Sequence, residues 1–277
     1  MNRREPRRQL TTSDPSELCI HDHVAWCGDG PEGIDRVAVA AFSAAAERGE
    51  LMVFVSDDPD PQRLAGLAGA GELSARGALQ LHSVAETYGD ISDAAAQRAV
   101  FEELLESSLA EGYTGISVVA DNSMLVAGDE DEYAAWLNWE ATADALQATR
   151  PVGGVCYFDR RRVSPERLAD LAVMHPVLSA DFAAPSFQIF ADGDGIRVVG
   201  ALDYFCIERL RRVLAAAPNV TERALDISGV EFIHHGALGA LNDLAGNDRT
   251  VRLSGANEIV QRVWKLLDLA SPALEIC

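Results

Sequence analysis

Leu225-Asp226-Ile227-Ser228-Gly229-Val230-Glu231-Phe232-Ile233-His234-His235-Gly236-Ala237-Leu238-Gly239-Ala240-Leu241 runs an apolar strand straight into a helix start rich in glycine and alanine. Working outward, the same alternation predicts a hairpin, Phe187–Ala191 with Ile196–Val199, joined by Asp192-Gly193-Asp194-Gly195. Helix Tyr204–Ala217, strand Ala224–Ile227, helix Gly236–Ala245, strand Val251–Leu253, helix Glu258–Leu267 and strand Leu274–Ile276 follow. Upstream, strands are expected at Cys19–Cys27, Leu51–Val55, Leu79–Val84, Tyr113–Ala120 and Gly154–Phe158. Between them fall helices Ile34–Arg48, capped by Gly49, Pro61–Ala70, Asp93–Glu111, Glu130–Ala148 and Pro165–Met174. Unbroken apolar runs such as Leu51–Val55 imply strands covered on both faces, and strand–helix alternation implies a parallel sheet between helical layers. The rhythm breaks over Leu178–Ser186. The expected organisation is a tail at 1–16, an α/β domain at 17–180, a linker at 181–186 and a smaller α/β domain at 187–277.

A net charge of −20 argues against a nucleic-acid surface, which needs clustered cations to displace counterions. No apolar run approaches the roughly 20 residues a bilayer requires, and the start is Arg-rich without an apolar signal core, so a cytoplasmic protein with a frayed N-terminus is expected. Five scattered cysteines (Cys19, Cys27, Cys156, Cys206, Cys277) fit core thiols in a reducing compartment. Lys265, in the last helix, is the sole lysine, which excludes a phosphate-loop lysine, a Schiff base or a Ser-Lys dyad.

Over 187–277 the chain resembles the STAS domain, the anti-sigma factor antagonist family. The matching features are Gly200-Ala201-Leu202-Asp203, Leu225–Gly229, and Leu253-Ser254-Gly255-Ala256 with Val260 and Leu266. In that family a switch turn, usually Asp-Ser-Ser-Gly, carries the phosphorylated serine. His234-His235-Gly236-Ala237 stand there instead, and imidazoles cannot take that modification. The resemblance implies docking onto an anti-sigma factor or related kinase-like partner, with Asp203, His234, His235, Gly236 and Leu238 as expected contacts. Three readings stay open: a switch-dead domain that binds constitutively or under control of the first domain, a degenerate domain used only to dimerise or join a larger assembly, and a pH-, metal- or phosphohistidine-dependent pair.

Over 18–180 the chain resembles the MEDS domain, a sensory domain of methanogen and methylotroph regulators. The matching residues are His21-Asp22-His23-Val24, Glu47-Arg48-Gly49-Glu50, Glu86-Thr87-Tyr88, Glu111–Gly115, Trp139-Glu140, Cys156–Asp159 and His175-Pro176. The resemblance implies a RecA-like core that has lost its phosphate loop and senses small organic molecules. Gly28-Asp29-Gly30-Pro31-Glu32-Gly33 keeps the glycine spacing, but Ile34-Asp35 replace Lys-Ser/Thr and two carboxylates occupy the loop, so no ATP hydrolysis is expected. Where the family writes Gly-Glu-Met, this chain has Ala120-Asp121-Asn122.

His21 and His23, two apart on an expected strand, would share a face. With groups at the C-terminal strand ends they give an expected effector pocket of His21, His23, Trp26, Asp121, Trp139, Glu140, Tyr157 and Asp159; hydrogen-bonded core histidines and packed tryptophans are the competing reading. A zinc or haem site would need a further ligand from His175, Cys27 or Cys156. No metal site is expected, because His175-Pro176 reads as a helix end, and the cofactor is left unknown. The leading expectation is a regulator in which an unknown small-molecule effector, bound to the first domain, controls the second domain's partner surface. The alternatives are a metal-assisted hydrolase using His21, His23 and Asp159, and a non-sensing scaffold; a homodimer is compatible with each.

Overall fold

A computed structural model describes residues 7–89, 91–216, 224–245, 251–266 and 274–276. The expected ends at Ala217 and Leu267, residues 1–6 of the expected tail, and Cys277 lie outside them. In chain order the first module comprises β1 (Leu10–Thr12), β2 (His23–Gly28), α1 (Gly30–Arg48), β3 (Leu51–Val55), α2 (Ala70–Ala75), β4 (Leu79–His82) and α3 (Val84–Tyr88). It continues through α4 (Ala94–Ala110), β5 (Ile116–Asp121), α5 (Ser123–Val126), α6 (Glu130–Thr149), β6 (Val152–Asp159), α7 (Pro165–Met174) and β7 (Val177–Ser179). The second holds β8 (Phe187–Asp192), β9 (Gly195–Leu202), α8 (Ile207–Ala216), β10 (Ala224–Ile233), α9 (His235–Ala245), β11 (Val251–Ser254), α10 (Glu258–Leu266) and β12 (Leu274–Ile276).

The expected α/β architecture is present. Seven strands in the order β1-β7-β2-β6-β5-β3-β4 form the large sheet, every pairing in it parallel. A separate sheet, β12-β11-β10-β9-β8, is mixed: β8 and β9 form an antiparallel hairpin and the remaining pairs are parallel. The hairpin turn needs left-handed backbone at Gly193 (φ 61°), which glycine adopts without a Cβ clash. Gly49 does the same at the end of α1, its N–H returning to the Ala45 and Ala46 carbonyls.

Strand pleating sorts the core of the large sheet. On β2, Val24 and Trp26 pack with Ile34, Val37 and Phe42 of α1, whereas Ala25 joins Trp136, Leu137 and Trp139 of α6 in the other layer. That second layer is continuous with the core of the smaller sheet, including Ile189, Val198, Leu210 and Leu225.

Several boundaries differ from expectation. The tail is not frayed from residue 7 onward: β1 pairs with β7, Arg7 is ion-paired to Asp144 and Arg8 to Asp22. Within the expected 17–180 domain a further strand appears where the rhythm was expected to break: Val177–Ser179 is buried and pairs with β1 and β2. The first long strand starts at His23, four residues late, because His21 has φ 73° and the chain turns there.

Candidate functional site

α6 carries Glu140, Asp144 and Gln147, three to four residues apart and all buried, so one face of the helix presents a polar stripe to the core. Opposite it stand His23 from the start of β2, Cys156 from β6 and His175 from the end of α7. His23, Glu140 and His175 are fully buried. His23 Nε2 lies 3.0 Å from Glu140 Oε2, and His23 Nδ1 lies 3.1 Å from Asp144 Oδ1. His175 Nε2 is 3.4 Å from the same Glu140 oxygen, and the two imidazole centroids are 3.9 Å apart.

Burial alone would raise Glu140, but the imidazoles of His175 and His23 outweigh it and hold the carboxyl at about 2. Burial and the neighbouring His23 push His175 down. His23 moves up: burial opposes its charge, yet Asp144 and Glu140 prevail. Burial and Glu140 push the Cys156 thiol well above its usual range.

Asp144 extends the cluster into the second module. Its Oδ2 accepts the Ala191 N–H of β8 at 2.5 Å, and it is ion-paired to Arg7. Arg7 donates onward to the Ala191 carbonyl at 3.1 Å and the His21 carbonyl at 2.8 Å. Gln188 Nε2, also on β8, donates to the His175 carbonyl at 2.5 Å. A second bridge joins α7 to α8: Asp170, buried, receives Arg209 at 2.9 Å, Arg212 at 2.7 Å and the Tyr133 hydroxyl at 3.0 Å.

Beside the cluster, Tyr88, Phe101, Trp139, Ala143 and Cys156 enclose a mostly apolar cavity of about 30 Å³, room for a water or a one-carbon group. An open cleft of about 400 Å³ lies near Asp170, lined by Tyr133, Arg162, Glu166, Arg167 and Arg212. Its guanidinium groups are already committed, Arg167 to the Val126 and Gly128 carbonyls and Glu130, and Arg212 to Asp170 and Glu166.

The eight expected pocket residues divide into separate places. His23 and Glu140 meet in the buried cluster, and Trp139 lines the adjoining cavity. His21, in the turn before β2, also faces α6 but lies outside the His23–Glu140 contacts: its Nδ1 bonds the Gln147 carbonyl at 2.8 Å. Trp26 and Tyr157 lie across the sheet, in the layer of α1. Asp121 binds Ser123, and Asp159 binds Arg161, at the far ends of β5 and β6. The registers His23↔Gly154 and Gly28↔Asp159 place Asp159 five residues along the sheet from His23, roughly 16 Å at about 3.3 Å per residue. The trio His21, His23 and Asp159 is thus not brought together. Asp144, Cys156 and His175 complete the cluster. Asp144 was not expected there although its spacing from Glu140 was visible, while Cys156 and His175 were expected as family-matching residues and as further ligands of a zinc or haem site, not as part of the pocket. Cys27 sits elsewhere, its N–H bonded to Ser179.

Asp159 offers a pH test. The Arg161 guanidinium, aided by backbone N–H groups and opposed by burial, lowers its carboxyl to about 2. Against an unfolded value near 3.9, its stabilisation is complete above about pH 4 and disappears as pH falls towards 2. Asp159→Asn is expected to lower stability at pH 7 and to flatten this part of the acid-unfolding profile in urea titrations; an unchanged profile would remove the ion pair's role.

In the second module the expected contact residues surround the start of α9. His234 Nδ1 accepts the Gly236 N–H at 3.1 Å, capping the helix, and its ring lies 4.0 Å from that of His235. Asp203 caps the turn before α8 through the Cys206 N–H. Leu238, expected as a contact, is fully buried and belongs to the core; the helical period turns it inward beside Ala237 and Leu241. Tyr204, Phe205 and Phe232 are the exposed apolar groups near this turn, at 67%, 88% and 54% exposure, and the Tyr204 ring lies 5.6 Å from His234. They carried no signal in the sequence because aromatic residues in elements are ordinarily buried.

Among the described residues no helix is long and apolar enough to cross a membrane. No curated protein matches the chain. Residues 22–176 match the MEDS family, the MEthanogen/methylotroph, DcmR Sensory domain, and this stretch ends at the Pro176 that follows His175. The chain belongs to the MEDS family and carries its sensory domain.

Proposed function

We propose that this protein is a two-module signalling regulator in which the state of the buried cluster, set by a small effector, controls a partner-docking face on the second module. The observation that carries the reading is Asp144, one carboxylate that holds His23 of the sensory cluster and the Ala191 N–H of β8 together. A change at His23 or Glu140 therefore alters a bond that β8 depends on, which is the differential contact a population shift requires. The adjoining apolar cavity suits an effector with a small apolar group.

The docking side rests on the resemblance of 187–277 to STAS domains and on the exposed Tyr204, Phe205 and Phe232 around the His234-His235 turn. Apolar groups exposed beside a helix start favour a protein partner, and an anti-sigma factor or related kinase-like protein is the partner the resemblance suggests. A nucleotide-hydrolysing role is disfavoured. The Tyr157 hydroxyl donates to the Gly30 carbonyl at 3.0 Å, and a Cβ at Gly28 or Gly33 would collide with the Tyr157 ring, so that side chain fills the loop where phosphate would sit.

Phe205→Ala in the full chain is expected to weaken binding to an anti-sigma factor by about 2 kcal/mol, roughly thirtyfold, as loss of a central aromatic contact does. Calorimetry measures it; unchanged affinity would place docking elsewhere.

A further inference from the structure

The donor atoms of His23, Glu140, Cys156 and His175 all lie within 4.8 Å of one another. Around Glu140 Oε2 the separations are 3.0 Å to His23 Nε2, 3.4 Å to His175 Nε2 and 3.7 Å to Cys156 Sγ. Cys156 Sγ is 3.6 Å from His23 Nε2. Bonds of about 2.0–2.1 Å to nitrogen and oxygen and about 2.3 Å to sulfur give a tetrahedral site edges of roughly 3.3–3.6 Å. The side chains already stand near those edges.

Hydrogen bonding independently points to a cation-binding arrangement. His175 Nδ1 lies 2.8 Å from the Leu171 carbonyl, which can only accept, so Nδ1 carries the proton. A neutral ring with that tautomer turns the lone pair of Nε2 towards the Glu140 carboxylate, and among the described residues neither His175 Nε2 nor Glu140 Oε1, both buried, has a hydrogen-bond partner. His23 Nδ1 likewise donates to Asp144, a carboxylate ionised by Arg7 and by donation from Ala191. Both imidazoles are thus oriented by an acceptor on Nδ1, the outer-shell arrangement that fixes histidine for coordination through Nε2.

We propose that His23 Nε2, His175 Nε2, Glu140 Oε2 and Cys156 Sγ bind one divalent transition-metal ion, with zinc the best match to this mixed nitrogen, oxygen and sulfur set. The ion replaces the thiol proton of Cys156 and any proton on His23 Nε2. Two neutral imidazoles, one thiolate and one carboxylate then offset its charge, which suits a site where His23, Glu140 and His175 are buried and Cys156 half-buried. Four protein donors leave no open coordination position, so the site is a structural or regulatory one. It pins β2 and β6 to α6 and α7, the two helices that also bond β8 through Asp144 and the His175 carbonyl.

The test uses the full-length protein produced in zinc- or cobalt-supplemented medium. Native mass spectrometry is expected to show one ion per chain, and the cobalt form to show tetrahedral ligand-field bands with a thiolate charge-transfer band. Cys156→Ser is expected to remove the charge-transfer band. Glu140→Gln and His175→Gln are expected to weaken the ion by more than the roughly 10–100-fold typical of losing an outer-shell partner. Cys27→Ser, at a cysteine outside the cluster, is expected to change neither reading. If a ligand variant fails to fold, the wild-type spectrum and the Cys27→Ser control still decide. Absence of a stoichiometric ion and of the thiolate band in the wild-type protein would overturn the site. A thiolate band that persists in Cys156→Ser would also overturn it. The ion is read on the chain itself, so either negative result leaves partner docking by the second module untouched.

Discussion

Asp144→Ala is expected to cost about 3–5 kcal/mol of folding stability, the usual consequence of removing one partner from a buried ion pair. Both side chains of the Arg7–Asp144 pair are 5% exposed, so the guanidinium left behind cannot rehydrate. The same substitution strips an acceptor from His23 Nδ1 and from the Ala191 N–H. Asp144→Asn keeps the shape and one acceptor oxygen, and its loss should be smaller though still above 1 kcal/mol, because hydrogen bonds to a charged group contribute about 1.5–3 kcal/mol each. Urea unfolding of the full chain measures both. A cost below 1 kcal/mol for alanine would show that this carboxylate does not join the modules.

Asp170→Ala is the second large effect, expected at about 2–3 kcal/mol. Arg209 and Arg212 keep 29% and 38% exposure and can regain water, which holds the cost below that of Asp144; the Tyr133 hydroxyl, in the buried layer, loses its acceptor. Because Asp170 bridges α7 to α8, the expected signature is also a broadened or split unfolding transition as the modules lose cooperativity. A single transition with unchanged midpoint would contradict that role.

Much of this architecture could be read from local pattern. Leu51–Val55 and Pro165–Met174 fall where expected, the first an uninterrupted apolar run, the second a helix with Ser164 as N-cap and proline in its first turn. The Gly193-Asp194 turn and the Gly49 cap were equally legible, since left-handed backbone selects glycine. Strands β1 and β7, three residues each, were not, because they are defined by pairing across more than 160 residues of chain and leave no periodicity of their own. The site was legible in part. Glu140 and His23 were selected, yet Trp26 was grouped with His23 although residues three apart on a strand face opposite ways. Arg7 could not have been placed, because its partner Asp144 is 137 residues distant and only the tertiary fold brings them together. His175-Pro176 does end a helix, and its ring nonetheless enters the cluster, so one residue serves both readings.

Hydrogen–deuterium exchange on the full-length protein and on Glu140→Gln tests the coupling most directly. Glu140 bonds neither Asp144 nor β8 directly; it reaches them through His23, which bonds Asp144, and through His175, whose carbonyl receives Gln188 of β8. The expected result is faster exchange in Phe187–Asp192, extending to His235–Ala245, in the variant. Altered exchange confined to residues 22–176, with both second-module segments unchanged, would contradict the account.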